Sequence, residues 1–325
     1  MRTSILLPIG ATRPEQTITF ANMVKWTAAD RLWQGQATVL DGHHLISWLA
    51  GAGIRVPCGF GVSLMPFRSP FQAAMEARSV ALATGESVIA GFGPGATSLQ
   101  AGMLGRPYKS QLGACREYLR AVRDLLNGDM AEIDGDDYSV TARLPDYHRP
   151  PVSVGLGVLR EKAAELAGEL ADVAITWLGS AEYVGKTLLP AMRRAPHRVP
   201  DEPVRVTAVV PVALSGPGRD AHDLATASCG IHLTQPHYQD TLRGAGIELT
   251  GDEKKDAGLL LDGGVFQYGT PAEVAAGLRE YAAMGVDEVV LNTTGVARLL
   301  GPRAAARDLL AVLEATEKEQ QEDSG

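Results

Sequence analysis

Short β-branched or aliphatic runs recur along the whole chain, and the intervals between them are filled by segments of helical period. That alternation is the pattern of βα units around a parallel sheet. The runs that read as strands are Thr3 to Ile9, Arg31 to Gln34, Arg55 to Val62, Ser87 to Phe92, Val152 to Leu156, Val173 to Trp177, Val204 to Leu214 and Glu288 to Asn292. Eight such units suffice to close a (β/α)8 TIM barrel, an α/β fold that places its functional groups at the C-terminal ends of its strands. Between the runs, Gln111 to Leu126 carries Leu112, Cys115, Leu119, Val122 and Leu126 at spacings of three and four, and Gly128 follows as a stop. Leu159 to Leu170 repeats the device. Thr270 and Pro271 form an N-cap and first helical residue for a helix that reaches Gly285.

Two stretches exceed a minimal barrel. Residues 129–151 are acidic and then rich in Tyr, His, Arg and Pro, and residues 235–264 are polar with weak helical period. Both are expected as loop insertions over the C-terminal face of a single domain spanning residues 1–316, with 317–325 a polar tail that frays.

A 45% hydrophobic, 21% charged chain of 325 residues can bury one large core, and a net charge of −8 argues against nucleic acid as partner. Met1 to Gly10 lacks the features of an export signal, and every apolar stretch is broken before it could span a bilayer. Cys58, Cys115 and Cys229 show no metal-ligand or disulfide spacing, so no metal is expected and a reducing cytoplasm is. Ser/His/Asp, P-loop and HExxH patterns are absent from the sequence, which disfavours hydrolysis, phosphoryl transfer and zinc chemistry.

Several segments narrow the reading further. Leu32-Trp33 closes the second strand; Gly59-Phe60-Gly61-Val62 followed by Pro66-Phe67-Arg68-Ser69-Pro70 closes the third; Gly91-Phe92-Gly93-Pro94-Gly95 closes the fourth. Gly155-Leu156-Gly157-Val158-Leu159, Ala167 to Asp172, Tyr268 to Val274 and Ala283 to Val290 follow in order. This ordered set resembles the luciferase-like monooxygenase superfamily, and within it the branch of coenzyme F420-dependent oxidoreductases.

The resemblance implies a cofactor site built from Gln36, Gly59, Gly61, Val62, Gly93, Pro94, Gly95, Gly155, Leu156, Gly157, Val158 and Leu159. It also implies a non-proline cis peptide between Gly61 and Val62, behind the cofactor ring, and a cofactor phosphate at the helix opened by Gly155 to Leu159, with Arg160 and Lys162 adding charge. Glycine at these strand ends lets backbone approach a planar ring; it equally eases a tight turn. Trp33, Phe67 and Trp177, aromatics at strand ends, are expected to wall the substrate pocket.

Relatives carry an Asp-His pair after the second strand and Glu or Ser-His after the fourth; this chain has Gln36-Ala37 and Gly95-Ala96. His43, with His44 beside it, and Tyr108 are the remaining candidates for acid or base, a histidine being suited by its near-neutral pKa.

The expected activity is transfer of a hydride from F420H2 to an activated C=C or C=N bond of a small-molecule or peptide substrate, and the resemblance points to natural-product tailoring as its setting. Two alternatives stand beside it: an FMN-dependent luciferase-like monooxygenase, and a non-catalytic cofactor-binding barrel. Relatives suggest a homodimer packed through the helix Phe71 to Ala83.

Overall fold

The computed structural model describes residues 1–195 and 202–322. Its strands are β1 (Arg2–Leu6), β2 (Leu32–Gln34), β3 (Cys58–Leu64), β4 (Val88–Gly93), β5 (Met130–Asp134), β6 (Ser139–Arg143), β7 (Val152–Val158), β8 (Val173–Trp177), β9 (Arg205–Leu214), β10 (Gln267–Gly269) and β11 (Glu288–Asn292). Parallel pairing runs β1-β2-β3-β4-β7-β8-β9-β11 and returns from β11 to β1, so eight strands close a barrel in chain order. Short β10 adds to the outer end of β9. Each barrel strand matches one of the runs read from the sequence, with boundaries moved by a few residues.

Alternation of side chains across each strand builds two shells. Outward residues such as Leu32, Phe60, Ala90, Leu156 and Ala174 join the large core beneath the helices. Inward residues Trp33, Ile89, Val173, Ile175, Val209 and Val290 form a second, enclosed core inside the barrel.

At the N-terminal end of that inner core lies a polar knot. Glu288 is fully buried, and its Oε1 accepts from Ser4 Oγ at 2.6 Å and Trp33 Nε1 at 2.7 Å, with Arg31 Nε at 3.4 Å. Glu288 opens β11, and its partners come from β1, β2 and the residue preceding β2, so one carboxylate ties together the strands where the chain's two ends meet.

Helices begin where their caps dictate. Asp41 caps helix Gly42–Gly51, Ser69 with Pro70 opens Pro70–Thr84, Ser110 opens Gln111–Asn127, and Thr270 with Glu273 forms a complete capping box for Pro271–Ala283. Gly128, at φ +80°, ends the second-last of these in the left-handed conformation that glycine alone adopts freely.

The stretch 129–151 contains the antiparallel hairpin β5–β6, which packs on helix Gln111–Asn127. In 235–264 the chain forms two helices, Pro236–Gly244 and Glu253–Asp262. The final helix runs from Pro302 to Glu322, into the stretch expected as a tail; residues 323–325 lie outside the described residues. No helix is long and apolar enough to cross a membrane among the described residues. Cys58, Cys115 and Cys229 are buried free thiols, and burial pushes each up to about 12.

Candidate active site at the C-terminal mouth of the barrel

β3, β4 and β7 are parallel neighbours, and their C-terminal ends share one rim. There Gly93 and Gly157 flank one side chain: a Cβ on Gly93 would lie 2.8 Å from Val62 Cγ2, and one on Gly157 3.3 Å from Val62 Cγ1, whereas Gly61 lies against the inner core, where a Cβ would meet the Trp33 ring at 3.0 Å. The peptide between Gly61 and Val62 is cis, and the β3–β4 register shifts between Phe60 and Ser63. Leu6, Val62 and Trp177, the half-buried residues packed on top of the inner core, form an apolar floor at the mouth. Asn292, the last residue of β11 and 5% exposed, uses its Oδ1 to accept the Thr294 N–H at 2.9 Å.

Loops beside this floor are held by glutamines. Gln36 Oε1 accepts from the Leu64 backbone N–H at 3.0 Å, joining the loop after β2 to the end of β3. Gln100, fully buried, donates to the carbonyls of Pro94 and Gly95 at 3.1 and 2.9 Å and accepts from Tyr108 N–H at 3.2 Å. Gly95 has φ +70° in the turn so pinned. Phe67 lies half-buried in the short helical turn Met65–Phe67 that follows β3.

Several expected site residues lie elsewhere. Trp33 is completely enclosed in the inner core, its indole N–H committed to Glu288, so it walls no open pocket. Gly59 serves Trp33 rather than a ligand, since a Cβ there would come within 2.5 Å of the indole. Gly155 sits one layer below the rim, where a Cβ would meet Ile175 Cδ1 at 3.0 Å and Gly91 Cα at 3.1 Å. Leu156 and Val158 alternate outward into the helix-facing core. From that segment Gly157 reaches the rim, and Leu159, half-buried, offers its carbonyl to Tyr183 Oη at 3.0 Å.

Neither candidate acid or base faces the floor. His43 is buried behind the barrel wall, stacked on outward-facing Phe60 with ring centroids 4.0 Å apart. Its Nδ1 lies 3.2 Å from Asp41 Oδ1, in a cluster with Arg68 and Glu76. The hydrogen bond with His43 holds the Asp41 carboxyl well below the usual range against the opposing effect of burial, and the His43 and Arg68 charges add to it. His44 projects into solvent, its side chain 88% exposed. The Tyr108 hydroxyl is bonded to that of Tyr138 on the hairpin, and burial pushes its phenol up.

What the sequence reading missed is an aromatic wall beside Trp177. His232, near the end of helix Ala221–Leu233, meets Trp177 edge to face at 5.3 Å, and Tyr238 backs His232 at 5.1 Å. No spacing in the sequence announces this contact, because it joins residues 55 positions apart, the end of β8 and a helix that follows β9.

The helix after β7, Glu161–Leu170, starts without a side-chain cap at Arg160, which leaves its first N–H groups free of a side-chain acceptor. Arg160 pairs with Asp240 at 3.3 Å. Among the described residues there is no group of three or more His, Cys, Asp or Glu arranged to hold a metal.

A closed parallel barrel with glycine rims around an apolar floor, and an uncapped helix beside it, defines a class of ligand-binding (β/α)8 scaffold. The sequence model of the luciferase-like monooxygenase family matches residues 1–288, and the chain belongs to that family. Among solved structures, it resembles the coenzyme F420-dependent tetrahydromethanopterin reductase of Methanopyrus kandleri at 17% identity and TM-score 0.70, covering 95% of this chain and 96% of that one. EDTA monooxygenase from Chelativorans sp. BNC1 matches at 15% identity and TM-score 0.76, over 98% and 94% of the two chains. The oxygenating constituent of 3,6-diketocamphane monooxygenase from Pseudomonas putida, solved with FMN, matches at 15% identity and TM-score 0.68, covering 97% of each.

Proposed function

We propose that this protein is a coenzyme F420-dependent oxidoreductase that reduces an activated C=C or C=N bond. The observation that carries the proposal is the floor itself: Leu6, Val62 and Trp177 top the inner core and bear no titratable group, while the rim around them is glycine. Such a surface suits a reaction whose demands are alignment and exclusion of water rather than strong acid–base assistance.

The residues present fit a planar ring with an anionic tail. Gly93 and Gly157 add no side chain of their own to the rim beside Val62, and the uncapped start of Glu161–Leu170 presents N–H groups and the positive end of a helix dipole. Arg160 and Lys162 add charge at that end. When bound, F420H2 supplies a hydride from its deazaflavin ring. The protein's own part is positional: Val62 and Trp177 exclude water, Gln36 fixes the end of β3, and Gln100 fixes the Pro94-Gly95 turn. The same reading takes a cytoplasmic homodimer as the working form, with the exposed Phe71, Met75 and Leu82 of helix Pro70–Thr84 as its contact face.

Anaerobic mixing of the protein with F420H2 and an electron-poor alkene tests this directly. Reappearance of the oxidised deazaflavin's absorbance, at a rate unchanged by air, is expected. Consumption of oxygen with reduced FMN and no turnover with F420H2 would replace the proposal with the monooxygenase reading.

A further inference from the structure

Trp177 ends β8 with its ring on the floor of the mouth, and its indole Nε1 is buried without a hydrogen-bond partner. An indole N–H is a donor that native proteins satisfy when they enclose it, so an orphan here calls for an explanation. The neighbouring His232 repeats the anomaly: its Nδ1 is also buried and unpartnered, and the two rings are in contact. Between them runs a backbone irregularity. Leu178, directly after Trp177, has φ +57° and is the one non-glycine residue with positive φ among the described residues. A left-handed conformation at a fully buried leucine fixes how the strand delivers Trp177 to the mouth, and such outliers concentrate at working sites.

We propose that Trp177 and His232 form the acceptor subsite of the reaction suggested above, holding the carbonyl oxygen of an alkene conjugated to that carbonyl. The inference rests on the F420 reading and specifies its substrate class. Burial, with the nearby Arg298 charge and against the opposing effect of the Cys229 backbone, pushes His232 down to about 4, so at neutral pH the ring is an uncharged imidazole with one N–H to give. With the proton on Nδ1, both orphans are donors, and the ring turns from its edge contact with the indole to admit the oxygen.

The step balances. A hydride from F420H2 adds to the β-carbon, the alkene pair moves toward the carbonyl, and the carbonyl pair settles on oxygen, where the Trp177 and His232 N–H groups hold the negative charge. Water then protonates the α-carbon, and the second proton of the spent cofactor leaves to solvent. Neither residue needs to ionise, which matches their surroundings.

The probe is cyclohex-2-enone, added to nitrogen-labelled protein saturated with oxidised F420. Of the four tryptophan indole signals, each assigned by substitution in turn, the Trp177 N–H is expected to move downfield while the other three stay in place. In turnover, Trp177→Phe and His232→Phe should each lower kcat/KM for the enone by roughly a hundredfold, and His232→Gln, which keeps a donor, should retain most of it, with F420 affinity unchanged in the two His232 variants. A stationary Trp177 signal, or Phe variants as active as the parent, overturns the subsite while leaving the cofactor reading intact. Failure to bind F420 at all overturns the cofactor reading instead, and the same titration of the cofactor-free chain then decides the subsite alone.

Discussion

The glycines of this barrel look alike in sequence and do different work in space. Gly59 makes room for the Trp33 indole, whereas Gly93 and Gly157 flank Val62 at the open rim. Gly59→Ala should therefore overpack the inner core and cost about 1–3 kcal/mol, read as a lower urea midpoint with an unchanged slope. The distinction was invisible in the sequence because Gly-x-Gly spacing gives the inward face but not the depth along the barrel axis. His232 gives a second residue-level expectation. Its folded value of about 4 lies below the ordinary 6.5, so the unfolded chain binds a proton that the folded chain refuses. The stability it supports is fully present above pH 6.5 and is lost as the pH falls toward 4. Between pH 7 and pH 5 the loss attributable to this ring is about 2 kcal/mol. Urea melts of the parent and His232→Phe at both pH values measure it; an equal drop in the variant would assign the loss to other groups.

Among elements, the barrel strands were legible because each carries a short apolar stretch, buried on both faces. The hairpin β5–β6 was not. Its strands, Met-Ala-Glu-Ile-Asp and Ser-Val-Thr-Ala-Arg, bury little beyond Ala131 and read as polar loop. What shapes it comes from another element: Glu117, on helix Gln111–Asn127, accepts the backbone N–H groups of Asp136, Asp137 and Tyr138 at 3.0, 3.0 and 2.8 Å. Arg106 and Lys109 add contacts to Asp137 from the loop after β4. Glu117→Ala should release the hairpin turn, raising amide exchange at residues 136–138 and lowering global stability by about 1–3 kcal/mol. Tyr138 would then lose its hold on Tyr108, the hydroxyl pair through which the hairpin reaches the wall behind β4. Unaltered exchange at the turn would show that the hairpin is held by its aromatic contacts alone.

At the scale of the whole molecule, the sequence revealed that eight strands exist but not how the first and last are joined. Closure brings β1 against β11, residues separated by almost the full chain, and Glu288 stands at that seam. Read alone, Glu288 is an ordinary polar start to a strand; its meaning comes from Ser4, Arg31 and Trp33 arriving around it. Three donors converge on one buried oxygen, so removing the carboxylate strands the Trp33 indole N–H without an acceptor and leaves the Arg31 guanidinium with Asp30 and the Cys58 carbonyl. Breaking a buried ionic group in this way costs about 3–5 kcal/mol, against a total stability of about 5–15 kcal/mol for a domain. Glu288→Ala should therefore drop the urea midpoint sharply. Glu288→Gln, which keeps an oxygen for Trp33 and Ser4 but surrenders the charge opposite Arg31, should fall between the two. The mouth lies at the other end of the inner core, so in the Gln variant, under conditions where it remains folded, affinity for the proposed F420 cofactor should match the parent. If Glu288→Ala proved as stable as the parent, the strands would be closing on their backbone ladder and apolar packing without help from the knot.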